Sequence, residues 1–120
     1  MNMLNSIILE GKITKAGTLE TQFTDVPQLT CTIAVERGYK GAKGSNITEV
    51  SEFDIITYGV MAKYLDDKKD IGRIIRVVGR LKQTKWLDGE KECSRVVIVA
   101  EHIEFKPFKK KETENEKSVL

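Results

Sequence analysis

Hydrophobic and polar residues alternate with a period of two along residues 73–86, RIIRVVGRLKQTKW. One register is mostly apolar and contains Ile75, Val77, Gly79 and Leu81. The other register is mostly cationic or polar and contains Arg76, Val78, Arg80, Lys82, Thr84 and Trp86. Because successive side chains of a strand point to opposite faces, the segment is predicted to be a strand with an apolar face and a cationic face. A basic face that ends in a tryptophan is typical of a track for a polyanion with flat bases. Alternation is equally typical of an ordinary solvated strand.

Two earlier segments are predicted to form the first and second strands. Residues 4–14 are β-rich in composition, and Gly11 within them predicts a bulge or a sharp bend. Residues 29–35 alternate cleanly. The face of this second strand that is predicted to be buried carries Leu29, Cys31, Ile33 and Val35.

The remaining regular elements are a third strand, a helix and a fifth strand. In the third strand, residues 50–58, one face carries Phe53, Ile55 and Thr57, and the other carries Asp54, Ile56 and Tyr58. Residues 60–70 have helical spacing. In the fifth strand, residues 94–105, the run VVIVA predicts burial on both faces. Strict alternation there places Ile98 and Ile103 on opposite faces.

The connecting segments include one candidate binding loop. Residues 36–49 are rich in Gly, Lys and polar residues and are predicted to form a flexible hairpin loop. Its cationic and aromatic residues are Arg37, Tyr39, Lys40 and Lys43. Such a loop is typical both of a phosphate-backbone contact and of any exposed loop. Leu87-Asp88-Gly89 is a hairpin signal. Residues 1–107 are predicted to be one domain, and residues 108–120 a disordered charged tail.

Composition narrows the functional classes. The 120-residue chain has 40% hydrophobic and 32% charged residues, which is typical of one globular domain. A net charge of +2 is too small for binding nucleic acid by charge alone, so such a protein must also use stacking. Cys31 and Cys93 fit no metal-ligand spacing and are interpreted as buried or partly buried thiols in a reducing cytosol. The sequence contains no catalytic constellation, so we expect no enzymatic activity, no cofactor and no metal. It also contains no membrane-spanning stretch, so we expect a soluble cytoplasmic protein.

Five strands with one short helix between the third and fourth is the element order of an OB-fold. This all-β fold is a five-stranded Greek-key barrel whose open face commonly takes oligonucleotides or oligosaccharides. The fold by itself does not choose the ligand.

Residues 4–105 resemble the bacterial single-stranded DNA-binding protein family. The segments that carry the resemblance are LNSIILEGKI, LTCTIAVERGY, SEFDIITYGVMAKYL, GRIIRVVGRLKQTKWLDG and VVIVAEHIEF. The resemblance implies a protein that coats and protects single-stranded DNA, without regard to sequence, in replication, recombination and repair. It also implies a homotetramer and a nucleoid-associated location in the cytoplasm.

The resemblance further implies which residues contact DNA. Trp86, Tyr39 and Tyr58 match aromatics on which bases stack. Phe53 is a weaker match, because an odd number of positions separates it from Tyr58 and the two rings then point to opposite faces. In the alternative, Phe53 belongs to the core and Glu52 or Asp54 faces the groove. The expected phosphate contacts are Arg76, Arg80, Lys82 and Lys85 of the fourth strand, and Arg37, Lys40 and Lys43 of the loop.

The chain departs from the family pattern at its end. Family members typically carry a flexible tail with an acidic tip and a terminal phenylalanine that docks replication and repair enzymes, whereas this sequence ends in NEKSVL. We therefore expect DNA binding to be retained and partner recruitment to be lost or moved to another surface. Two alternatives stay open: a primosomal-type OB adaptor that acts mainly through protein–protein contacts, and an RNA-binding OB module.

Overall fold

The computed structural model describes residues 2–21 and 25–107. Within these ranges the elements are β1 (Ile7–Ala16), β2 (Gln28–Lys40), β3 (Asn46–Tyr58), α1 (Gly59–Lys68), β4 (Ile74–Asp88) and β5 (Lys91–Phe105). The predicted tail, residues 108–120, lies outside the described residues. No helix in the described part of the chain is both long and apolar enough to cross a membrane.

The five strands close into one barrel in the order β1-β2-β3-β5-β4. All neighbouring strands are antiparallel except β3 and β5, which are parallel. The helix follows β3 directly, because Gly59 takes a φ of 69° and donates its N–H to the carbonyl of Pro27 at 2.9 Å. This is the OB-fold architecture predicted from the sequence, including the position of the helix.

The core fills the barrel and extends to the helix. Leu29, Cys31 and Ile33 are buried as their alternation predicts, together with Ile75 and Val77 of β4. The helix contributes two residues to the same cluster, Ala62 and Leu65. Burial of these side chains supplies the main favourable free energy of folding.

Two bulges alter the alternation that the sequence predicts. On β1, Ile13 pairs with Ile33 and Lys15 with Thr32, so Thr14 is an extra residue. On β5, Ala100 pairs with Gly79 and His102 with Val78, so Glu101 is an extra residue. An extra residue shifts the strand's register by one position. Strict alternation was therefore wrong for β5, since Ile98 and Ile103 both face the core.

Gly11 does not form the predicted bulge. A Cβ atom at this position would lie 2.7 Å from the carbonyl oxygen of Ala34, so the residue is glycine because two strands approach closely there. The prediction that VVIVA is buried on both faces holds for residues 97–100 and fails for Val96, which is 60% exposed.

The predicted loop 36–49 is mostly regular strand. β2 continues to Lys40 and β3 begins at Asn46, which leaves a tight turn closed by a hydrogen bond from Gly41 N–H to the Ser45 carbonyl at 2.8 Å. Continuous pairing from Gln28–Tyr58 to Lys40–Asn46 makes one long hairpin. The sequence suggested a loop because glycine and lysine are poor strand formers, whereas pairing between the two strands overrides that preference.

Two hairpins extend from the same end of the barrel. The β2–β3 arm comprises residues 36–53 and the β4–β5 arm residues 81–96, and both are largely exposed. β3 and β5 run parallel where Ile55 pairs with Ile98, and each arm lies on the N-terminal side of that pair in its strand. The two arms therefore extend from the barrel in the same direction. The arms account for the elongated shape, 56 × 40 × 34 Å.

Candidate nucleic-acid interface

A shallow groove crosses the face of the barrel that points away from the core, which we call the outer face. Its volume is about 340 Å³, and it is lined by Gln28, Thr30, Ile56, Thr84, Trp86, Arg95 and Val97. Ile56 and Val97 are buried and form an apolar floor, and the surrounding side chains are polar or aromatic. Pockets with an apolar base and a few polar groups are typical ligand sites.

Trp86 and Tyr58 share the outer face. Trp86 pairs with Cys93 near the end of the β4–β5 arm, and its side chain is 47% exposed. Tyr58 is the last residue of β3, pairs with Gln28, and is 38% exposed. Each ring therefore has a surface open to solvent on which a base could stack. The indole lies outside the barrel, as the alternation of residues 73–86 predicts.

Phe53 and Tyr39 lie on the opposite face of the β2–β3 hairpin. Phe53 pairs with Ile33, whose side chain is in the core, and is 36% exposed where the barrel opens into the arm. Tyr39 pairs with Ile47 and is 50% exposed. By register, Phe53 and Tyr58 point to opposite faces, and Asp54 faces the groove side. The structure therefore divides the four sequence-predicted aromatics between two faces.

The cationic residues predicted on β4 do not form one row. Arg80 and Lys82 lie on the outer face opposite Val99 and Val97, and Arg80 also pairs with Glu101 at 3.5 Å. Lys85 is exposed on the other face, opposite Ser94.

Arg76 lies in a separate group of charges. Its guanidinium is 3.2 Å from the carboxylate of Glu10 and 3.6 Å from that of Glu104. Arg76 precedes Trp86 by ten residues on β4, about 33 Å at the usual rise of a strand. The structure thus does not bring Arg76 together with the tryptophan.

The cations of the β2–β3 arm are spread along its length. Arg37 pairs with Glu49, on the same face as Tyr39, whereas Lys40 pairs with Asn46 on the other face. Lys43 lies in the turn at the tip. All three side chains are exposed, so each is accessible to a phosphate.

Several cations of the outer face were not predicted from the sequence, among them Lys12, Lys15 and Arg95. Lys12 and Lys15 on β1 are exposed and pair with Ala34 and Thr32. Arg95 on β5 lines the groove itself. Counting back from the turn at Gly89 would have identified Arg95, because pairing Asp88 with Lys91 places Arg95 opposite Thr84.

Among the residues that the structure describes, Glu10 and Cys31 have shifted pKa values. The hydrogen bond from Lys106 lowers the pKa of Glu10, with further lowering by Arg76. Burial, with a contribution from the charge of Asp54, raises the pKa of the Cys31 thiol to about 11. That thiol is therefore protonated and inert at neutral pH. Both cysteines are free, as predicted. Within residues 2–21 and 25–107 no group of three or more His, Cys, Asp or Glu side chains is arranged to hold a metal.

Known proteins resemble this chain in sequence. The single-strand binding protein family matches residues 4–106. A single-stranded DNA-binding protein of Aquifex aeolicus is 33% identical over 84% of this chain and 69% of its own length. One from Thermotoga maritima is 30% identical over 97% of this chain and 83% of its own length.

Solved structures resemble the fold. A single-stranded DNA-binding protein of Plasmodium falciparum in complex with ssDNA superposes with a TM-score of 0.75 at 19% identity, over 89% of this chain and 98% of that one. A deletion mutant of the Thermus aquaticus single-stranded DNA-binding protein superposes with a TM-score of 0.76 at 22% identity. The match to the Thermus protein covers 87% of this chain and 51% of that one.

Proposed function

The chain belongs to the single-strand binding protein family, and from this membership we propose that it binds single-stranded DNA without regard to sequence. Its role would be to coat and protect transient single strands in replication, recombination and repair. The observation that carries the proposal is the pair of half-exposed rings, Trp86 and Tyr58, on one outer face beside a groove with an apolar floor. The names of the relatives favour DNA over the adaptor and RNA-binding alternatives.

Stacking supplies the sequence-independent part of the binding free energy. A base stacked on an aromatic side chain contributes ~1–3 kcal/mol, and every base offers a π-face. Trp86 and Tyr58 would take bases on the outer face, and Tyr39 and Phe53 bases that pass along the other face of the β2–β3 arm.

Phosphate contacts supply the salt-dependent part of the binding free energy. Arg80 and Lys82 would make such contacts, which is supported by their exposure on the outer face. Lys85, Arg37, Lys40 and Lys43 would add contacts from the arms. Arg76 would contribute less to phosphate binding, since the carboxylates of Glu10 and Glu104 compete for its guanidinium.

Titration of the protein with a thymine oligomer tests the proposal. Trp86 is the only tryptophan of the chain, so its fluorescence reports on one known position. We expect quenching at low salt, and a binding constant that decreases linearly with salt on logarithmic axes. An RNA oligomer of equal length serves as the comparison. Unquenched emission at low salt, or clearly tighter binding of the RNA, would contradict the proposal.

We further propose that the protein is a non-enzymatic homotetramer in the cytoplasm, at the nucleoid. Exposed apolar side chains on β1 and β4, Ile8 at 68% and Ile74 at 39%, support association, because exposed apolar surface commonly marks protein–protein contacts. Light scattering after size exclusion should give four times the chain mass of 13.6 kDa. A monomeric mass at micromolar concentration would rule out the tetramer.

A further inference from the structure

Arg95 lies in the groove next to the proposed stacking position. On β5 it pairs with Thr84, which precedes Trp86 by two residues on β4, so Arg95 and Trp86 are diagonal neighbours on the same face. Diagonal neighbours across an antiparallel pair are about 7–8 Å apart, within reach of long side chains. Both residues line the groove.

The Arg95 guanidinium is held by a chain of polar contacts across three strands. Its Nη2 is 3.0 Å from Oδ2 of Asp54 on β3. The other carboxylate oxygen, Oδ1, accepts a hydrogen bond from the Thr32 hydroxyl on β2 at 2.8 Å. Both groups stand on paired strands of the barrel, and Thr32 and Asp54 are directly opposite each other. The carboxylate is therefore fixed before any ligand arrives.

The contact with Asp54 leaves most of the guanidinium available. Arginine carries five N–H donors in a planar fork that matches the oxygens of a phosphate. Among residues 2–21 and 25–107, Asp54 is the one carboxylate paired with Arg95, and the arginine side chain is 50% exposed.

We propose that Arg95 binds a DNA phosphate beside the base stacked on Trp86, and that Asp54, fixed by Thr32, is the residue that positions it. This inference rests on the proposed function. A carboxylate beside a groove for a polyanion repels the ligand, and orienting a cation toward the phosphate offsets that cost. Two other arginines differ, because Arg80 contacts Glu101 at the longer distance of 3.5 Å, and Arg76 lies between two carboxylates.

The first test compares Arg95→Ala, Arg95→Lys and the parent in binding a fluorescein-labelled thymine oligomer at several salt concentrations. We expect Arg95→Ala to weaken binding about tenfold at low salt, and to reduce the salt slope by about 0.7, the value for one phosphate contact on a single strand. Arg95→Lys should keep the slope and bind with intermediate affinity, because the charge remains and the fork is lost. Lys63→Ala, which removes one positive charge from the helix, is the matched control and should leave both quantities unchanged.

The second test asks whether the substitution Asp54→Asn tightens or weakens DNA binding. Asp54→Asn removes a negative charge that lies next to Arg95 of the groove, so electrostatic repulsion alone predicts tighter binding. A positioning role for Asp54 predicts the opposite result, an affinity about two- to threefold lower, because the ion pair with Arg95 is broken. Glu101→Gln removes the equivalent carboxylate beside Arg80 and should not weaken binding.

These tests have outcomes that separate the inference from the proposed function. A parent protein that fails to bind the oligomer would refute the function itself. If the parent binds and Arg95→Ala keeps both its affinity and its slope, Arg95 is not a phosphate contact. If Arg95→Ala weakens binding and Asp54→Asn tightens it, the positioning role of Asp54 is refuted. Circular dichroism melts of the Arg95, Asp54, Glu101 and Lys63 variants check that each of them is folded.

Discussion

Replacing Gly79 by alanine should strongly destabilise the barrel. A Cβ atom at this position would lie 2.2 Å from the carbonyl oxygen of Val99, 3.0 Å from its carbonyl carbon and 3.2 Å from the Cα of Ala100. All three are backbone atoms of the paired strand, so the movement of a flexible side chain cannot relieve the clash. Overpacking of this kind costs about 3 kcal/mol or more, which lowers the melting temperature by roughly 10 °C or more.

Gly38→Ala is the control for that substitution. Gly38 is also a strand glycine, and the atom nearest to an added Cβ, the carbonyl oxygen of Ile47, is 4.0 Å away. We expect its melting temperature to stay within a few degrees of the parent. Circular dichroism measures the melting temperatures. If Gly79→Ala melts at the same temperature as the parent, β4 and β5 can move apart at residue 79 with little loss in the free energy of unfolding.

Replacing Trp86 by alanine should produce the largest loss of DNA affinity of any single substitution on the outer face. Loss of one stacked base costs ~1–3 kcal/mol, which corresponds to about 5- to 150-fold in the dissociation constant. The salt slope should stay that of the parent, because stacking releases no counterions. Anisotropy of a labelled thymine oligomer measures both quantities without relying on the tryptophan.

Two further variants make the Trp86 result specific. Trp86→Phe retains a flat ring and should recover most of the affinity. Tyr64→Ala removes an aromatic of equal exposure, 47%, from the helix, where its ring contacts Phe105 instead of the groove. That variant should bind as the parent does. Binding of the Trp86→Ala protein within twofold of the parent would show that the indole does not stack on DNA.

The alternation of residues 73–86 predicted the outer face of β4 because that strand has no extra residue of its own. The same reasoning failed on β5, since the bulge at Glu101 depends on pairing with β4 and leaves no local signal in the sequence. It also failed for the extent of β2 and β3, where pairing across the arm overrides weak strand propensity.

The face of a candidate site residue was predictable where it follows from parity within one strand, as it does for Trp86, Arg80 and Lys82. Arg76 has the same parity, but Glu10 of β1 and Glu104 of β5 flank it, and only the assembled barrel brings those strands together. The sequence of β5 alone does not show that Arg95 lies beside Trp86, because that neighbourhood follows from the register that the short turn at Gly89 fixes against β4.

Closure of the barrel also predicts an order in which contacts form. The β2–β3 and β4–β5 pairings are between strands adjacent in sequence, whereas the seam between β1 and β4 joins Ile7 to Gly79 across most of the described chain. Loop-closure entropy makes such distant pairings slow to form. We therefore expect the two hairpins that carry Tyr58 and Trp86 to form early and locally, and the seam that contains Gly79 to form last and to limit the rate of folding.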